Sequence, residues 1–185
     1  MAQHFEKHTV LIVDDEEKLR EILRLYLEAP NREILEAANG QEALEVMSKN
    51  RVDIVITDIL MPLMDGLELT RKIVAQDPDI PVLIVTAHAG KEETLAALRA
   101  GVFEFIAKPF QEEFVCNRVN KALERRFIRL AEKDMFEILV RELNISGTVN
   151  FSQLSYLDRI KLLKQVTNVL LLRLSRLEDK KDNQK

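Results

Sequence analysis

Short apolar runs and helix-period segments alternate along the first two thirds of the chain at a regular spacing. Runs at residues 9–13, 32–36, 52–58, 81–86 and 102–106 read as five strands. The first, third and fourth are nearly continuous β-branched or leucine stretches, as strands buried on both faces require. Between them, apolar positions recur at helical spacing: Leu19, Ile22, Leu23 and Tyr26, then Ala43, Leu44 and Met47, then Leu69 and Ile73, then Leu95 and Leu98. Gly40, Gly66, Gly90 and Gly101 and all five prolines fall at the junctions. The pattern predicts an α/β fold, a doubly wound five-stranded parallel sheet.

Beyond Pro109 the pattern changes. No further proline occurs, one glycine remains at Gly147, and helix formers dominate. A helix is expected from residue 112 to about 143, longer than closing a βα domain needs, then a turn over 144–150 and a second helix over 152–178 before a polar end at 180–185. This divides the chain into a domain at residues 1–125 and an all-α extension at 126–185. In the second tail helix Ile160, Leu163, Thr167, Leu170, Leu174 and Leu177 recur at spacings of three and four, a heptad seam suited to a homodimer or a downstream protein partner. Leu157, Leu162, Val166, Val169 and Leu172 widen the apolar surface, so packing back on the preceding helix is an equal reading.

Composition adds limits. At 185 residues and 46% hydrophobic content the chain can bury a core. Its start lacks the apolar stretch of a signal peptide, and unbroken apolar runs such as residues 169–172 are far too short to span a bilayer, so a cytoplasmic protein without a membrane segment is expected. Residues 1–126 carry 16 basic and 23 acidic side chains, a net -7, and residues 127–185 carry 11 and 8, a net +3. That tail is only mildly basic, and charge alone does not suggest nucleic acid. The single cysteine, Cys116, permits no internal disulfide and reads as a small apolar helix residue.

Open α/β sheets place their sites at the carboxyl ends of strands. There stand Asp14 and Asp15 after strand one, Asp58 at strand three, Thr86 at strand four, and Lys108 with Pro109 beyond strand five. Three carboxylates brought together repel, and a hard divalent cation such as Mg²⁺ is the simplest remedy. Such a cation would also grip phosphate oxygens while a carboxylate attacks phosphorus, giving a labile acyl phosphate. Taken singly, each residue has an ordinary reading: Asp14 or Asp15 a helix cap, Thr86 a turn residue, Lys108 a solvated lysine, Phe105 core.

Together they resemble the receiver domain of bacterial two-component response regulators, the flavodoxin-like, CheY-like fold. The matching text is LIVDDE at residues 11–16, VDIVITDILMPLMDG at 52–66, VLIVTA at 82–87 and AGVFEFIAKPF at 100–110. The resemblance implies that Asp58 accepts the phosphoryl group from a sensor histidine kinase. Asp15, Asp58 and the backbone carbonyl of Leu60 would ligate Mg²⁺, with Asp14 acting through a water. Thr86 would turn toward the phosphoryl oxygen, Lys108 would pair with it, Phe105 would rotate inward, and Pro109 would follow a cis peptide bond. Phenylalanine stands at position 105, more often tyrosine in this family, which removes a phenolic hydrogen bond. Leu60 and His88 occupy places that tune the lifetime of the phosphoryl group, with His88 read as a rim residue.

The tail has no histidine and no phosphate-cradling glycine loop, so it is not expected to be an enzyme or a phosphotransfer-histidine module. A transcriptional regulator with an atypical helical DNA-binding output is the alternative. However, the second helix begins FSQLSYLDRIK, without the basic start of a recognition helix. A haloacid-dehalogenase-like phosphatase would need an aspartate two residues after Asp58, where Leu60 stands.

Overall fold

A computed structural model describes residues 7–142 and the single positions 157, 158, 160, 161, 164 and 167. Five strands, β1 (His8–Val13), β2 (Arg32–Ala37), β3 (Ile54–Thr57), β4 (Val82–Thr86) and β5 (Glu104–Ala107), form one parallel sheet in the order β2-β1-β3-β4-β5. Helices α1 (Glu17–Leu27), α2 (Gly40–Lys49), α3 (Gly66–Gln76) and α4 (Lys91–Ala100) make the crossovers, and α5 (Glu112–Glu142) follows β5.

Alternation sends successive residues of a strand to opposite faces, so a strand buried on both sides must be apolar throughout. Val10 and Ile12 of β1 pack with Ile54, Ile56, Leu83 and Val85 beneath Leu23 and Leu27 of α1 and Val115 and Val119 of α5. Leu11 and Val13 pack on the other face with Val55, Val82, Ala43 of α2 and Leu69 and Ile73 of α3. The central strands β1, β3 and β4 are almost wholly buried, as their sequence anticipates.

Expected strand bounds shift by up to two residues. The third strand is shorter than 52–58 because Val52 and Asp53 precede the ladder and Asp58 lies just past it. Two helix faces also differ from expectation. Leu95 and Leu98 of α4 are exposed, and Ala97 and Ala100 are the buried positions instead, with Ala97 packed against Ile59 and Ile84 of the sheet side. In α1 Ile22 is exposed, and Leu27 completes the buried stripe with Leu23.

Two compact units follow one another, Met1–Phe127 and Ile128–Lys185, and α5 runs across that boundary. In the second unit Phe136 is buried, whereas Ile128, Ala131, Met135 and Ile138 are exposed. Of the expected seam, Ile160 is half-buried and Thr167 exposed, and Leu163, Leu170, Leu174 and Leu177 lie outside the described residues.

Candidate functional site

Parallel pairing brings the ends of β1, β3 and β4 to one edge. The Asp58 N–H donates to the Val13 carbonyl at 3.0 Å and the Lys108 N–H to the Thr86 carbonyl at 2.8 Å, so the ladder continues one step beyond the strands and fixes both residues. The Lys108–Pro109 peptide is cis. The Lys108 Nζ then reaches Asp58 Oδ2 at 2.5 Å and Asp14 Oδ2 at 3.1 Å. A residue that reads as a solvated lysine is thus an ammonium shared by two buried carboxylates.

Each carboxylate is also held from its own loop. Asp58 Oδ1 accepts from the Ile59 N–H at 2.5 Å, and Asp14 Oδ1 accepts from the Glu16 N–H at 2.9 Å. Glu16 is the N-cap position of α1 and makes no side-chain cap, so neither Asp14 nor Asp15 caps that helix itself. Asp14 is 2% exposed. Burial pushes its carboxyl above the ordinary carboxylate range, even against the Glu16 N–H and the Lys108 ammonium, which pull the other way. For Lys108 burial alone would lower the pKa, but the hydrogen bond to Asp58 and the charge and hydrogen bond of Asp14 outweigh it and raise the ammonium.

Around this centre the other expected residues take distinct places. Thr86 is fully buried, with its Oγ1 accepting from the His88 N–H at 3.2 Å, and the His88 side chain is exposed at the rim. Phe105 is half-buried against Ile59, Ile84 and Ala97. Asp15 and Leu60 are exposed. Among the described residues, no group of three or more histidine, cysteine, aspartate or glutamate side chains is arranged to hold a metal ion. The donors at this edge are nevertheless all oxygens, with three carboxylates against one ammonium, and that set suits a hard divalent cation far better than a soft one.

Three supporting residues escaped the sequence reading. The Thr57 hydroxyl donates to the Asp58 carbonyl at 2.9 Å, and Arg20 Nη1 donates to the Asp14 carbonyl at 2.7 Å. Gly66 passes so close that a Cβ there would stand 1.8 Å from the Asp58 carbonyl oxygen. Gly66 was visible as punctuation, but nothing in sequence spacing reveals its approach to Asp58. Cys116, outside the site, donates its Sγ–H to the Tyr26 carbonyl at 3.1 Å and is half-buried.

Comparison with known proteins agrees with this geometry. The sequence profile of the response regulator receiver domain matches residues 10–120. The C4-dicarboxylate transport transcriptional regulatory protein DctD of Rhizobium meliloti is 36% identical over 127 residues, 69% of this chain and 28% of DctD. Response regulator MprA of Mycobacterium sp. is 37% identical over 116 residues, 63% of this chain and 50% of MprA. The chain therefore spans half or less of the length of these relatives. A putative response regulator from Chloroflexus aurantiacus superposes with a TM-score of 0.60 at 35% identity, covering 64% of this chain and 99% of that one. A receiver domain protein from Clostridium thermocellum gives 0.61 at 29% identity, covering 65% and 98%. With the fold, the strand-end residues and the profile in agreement over the same segment, the chain belongs to the response regulator receiver domain family.

Proposed function

We propose that this chain is a two-component response regulator that takes a phosphoryl group on Asp58 from a phosphohistidine of a sensor histidine kinase. One observation carries the reading: the Asp58 carboxylate ends β3 with one oxygen on the Ile59 N–H and the other on the Lys108 ammonium. In the reaction a carboxylate oxygen of Asp58 forms a P–O bond as the P–N bond to the kinase imidazole breaks, and the bonding pair leaves with the imidazole nitrogen. The chain positions these groups and supplies charge rather than acid or base. Lys108 follows the negative charge onto the phosphoryl oxygens, Thr86 turns its hydroxyl toward them, and Phe105 moves into the space Thr86 leaves. Leu60 and His88, both exposed beside Asp58 and Thr86, line the path of the water that would hydrolyse the product. Asp15, Asp58 and the Leu60 carbonyl would hold a Mg²⁺ ion, with Asp14 acting through a water, and that ion would supply neutralising charge.

Receiver domains of this family are signalling proteins rather than enzymes in the ordinary sense, so the product is a state of the chain. On this reading residues 1–125 are the receiver and 126–185 a helical extension that pairs with a second copy and presents a downstream protein with a site. Support comes from α5 itself. Ile128, Ala131, Met135 and Ile138 are exposed at spacings of three, four and three, a seam beginning where the second compact unit begins. Among the described residues no helix is long and apolar enough to cross a membrane.

Incubation with acetyl phosphate and Mg²⁺ should add one phosphoryl group by intact mass, and Asp58→Asn should take none. An Asp58→Asn protein that labels fully would sink the assignment. Sedimentation of the full chain should give a dimer, and a chain cut after Arg126 a phosphorylatable monomer. A monomeric full chain at tens of micromolar, roughly where a weak specific dimer forms, would remove the second half of the reading.

A further inference from the structure

Away from the Asp58 edge, at the amino-terminal end of the sheet, lies a pocket of about 240 Å³ walled by Met47, Val52, Ile73 and Ile80. Arg126 of α5 and Asp77, just past α3, also line it. Arg126 is 5% exposed, and only its Nη2 is engaged, donating to Asp77 Oδ2 at 2.9 Å. Its Nε and Nη1 are buried without a hydrogen-bond partner among the described residues. A buried guanidinium with two donors unspent is costly, and proteins satisfy such groups with an acceptor from the chain, a water or a ligand.

We propose that this pocket binds a small organic acid, with its carboxylate on Arg126 and its apolar body against Met47, Val52, Ile73 and Ile80. An acceptor is required because guanidinium donates only, and a carboxylate fits its planar fork better than any neutral group does. The volume exceeds what a bare inorganic anion uses, and Met47, Val52, Ile73 and Ile80 give one side of an otherwise polar wall an aliphatic surface, so an apolar body is part of the ligand. An amine is excluded by the guanidinium charge. Arg51, on the rim, reaches Asp53 Oδ1 at 3.4 Å and adds positive potential at the mouth. Nε and Nη1 are shielded from solvent, so the ligand engages them by a rotation of the guanidinium that loosens its contact with Asp77. Asp77 then acts as the resident competitor for Arg126.

The test is a titration of the ¹⁵N-labelled full chain with hexanoate, using hexylamine and hexanol as controls. Saturable shifts at Val52, Gln76 and Asp77 are expected with hexanoate and none with hexylamine, and Arg126→Met should weaken hexanoate binding by at least about tenfold. Asp77→Asn, which removes the competitor and leaves Arg126 in place, should tighten it, so the proposal stays testable if Arg126→Met folds poorly. Three results would overturn it: no saturable response, equal binding of hexanol and hexanoate, or hexanoate binding left unchanged or weakened by Asp77→Asn.

Discussion

The two ends of the parallel sheet both bury charge, and they balance it differently. At the carboxyl end two buried carboxylates share one ammonium, and nearly every polar atom is engaged. At the amino end the positive charge of Arg126 is held by one contact, and the buried side-chain atoms without hydrogen bonds among the described residues gather there. They sit on His8 and Arg32, which begin β1 and β2, on Asp53 just before β3, and on Arg126. The lesson is that excess carboxylate in a closely bonded frame is suited to receiving charge from outside, whereas polar atoms left without partners are not held to any one geometry.

The strongest way to break the comparison is to disturb the frame beneath Asp58. Gly66→Ala drives a methyl into the Asp58 carbonyl, which is backbone and cannot move aside alone. A loss of about 3 kcal/mol or more is expected by chemical denaturation, with acetyl-phosphate labelling lost as well. A variant as stable as the parent would mean the frame at this end is not tightly held.

Next comes a matched pair, one cation removed from each end. Lys108→Met leaves the Asp14 and Asp58 carboxylates buried side by side, and about 3 kcal/mol should be lost at neutral pH. Arg126→Met leaves only Asp77, whose side chain is 39% exposed and can hydrate, so the change should stay within about 1 kcal/mol. Equal costs would erase the distinction between the ends.

A smaller effect comes from Asp14. Its folded pKa is raised above the ordinary 3.8, so the folded state loses stability as pH rises from that value through the raised one. Asp14→Asn without Mg²⁺ should therefore be more stable than the parent at neutral pH, and the gain should vanish in acid. Lys108, also raised, has the opposite sign: it stabilises below its ordinary 10.5, and that contribution is lost as pH rises through its folded value. A thermal melt series across pH checks both. The smallest effect belongs to Leu98→Glu on the outer face of α4. Leu98 is 62% exposed, and the change should shift stability by less than about 0.5 kcal/mol.

Much of this was legible in the residues because the sheet is buried on both faces. A run such as Val10 to Val13 has no exposed face to make polar, so strand position, strand end and strand-end chemistry all follow from one pattern. That logic brings Asp14, Asp58, Thr86 and Lys108 to a single edge from the residue pattern alone. It failed where size rather than polarity decides. In α4 Leu95 and Leu98 carry the stronger hydrophobic signal, yet the smaller Ala97 and Ala100 take the buried positions. Arg126 was invisible for the complementary reason: an arginine in a charged helical stretch reads as solvated, and only its place at the amino-terminal end of the sheet, against Asp77 just past α3, buries it. The seam at Ile128, Ala131, Met135 and Ile138 was overshadowed by the longer leucine pattern that follows.

The hydroxyl of Thr86 accepts from the His88 N–H while it points into its own loop. Any turn of that side chain toward Asp58 withdraws the acceptor from one named amide. Solvent deuterium should then enter at His88 sooner in the phosphorylated protein than in the resting one, while the Lys108 amide, tied to the Thr86 carbonyl rather than its side chain, keeps its rate. Two neighbouring amides would thus serve as a clock and its reference, reporting on a single rotamer from within the loop.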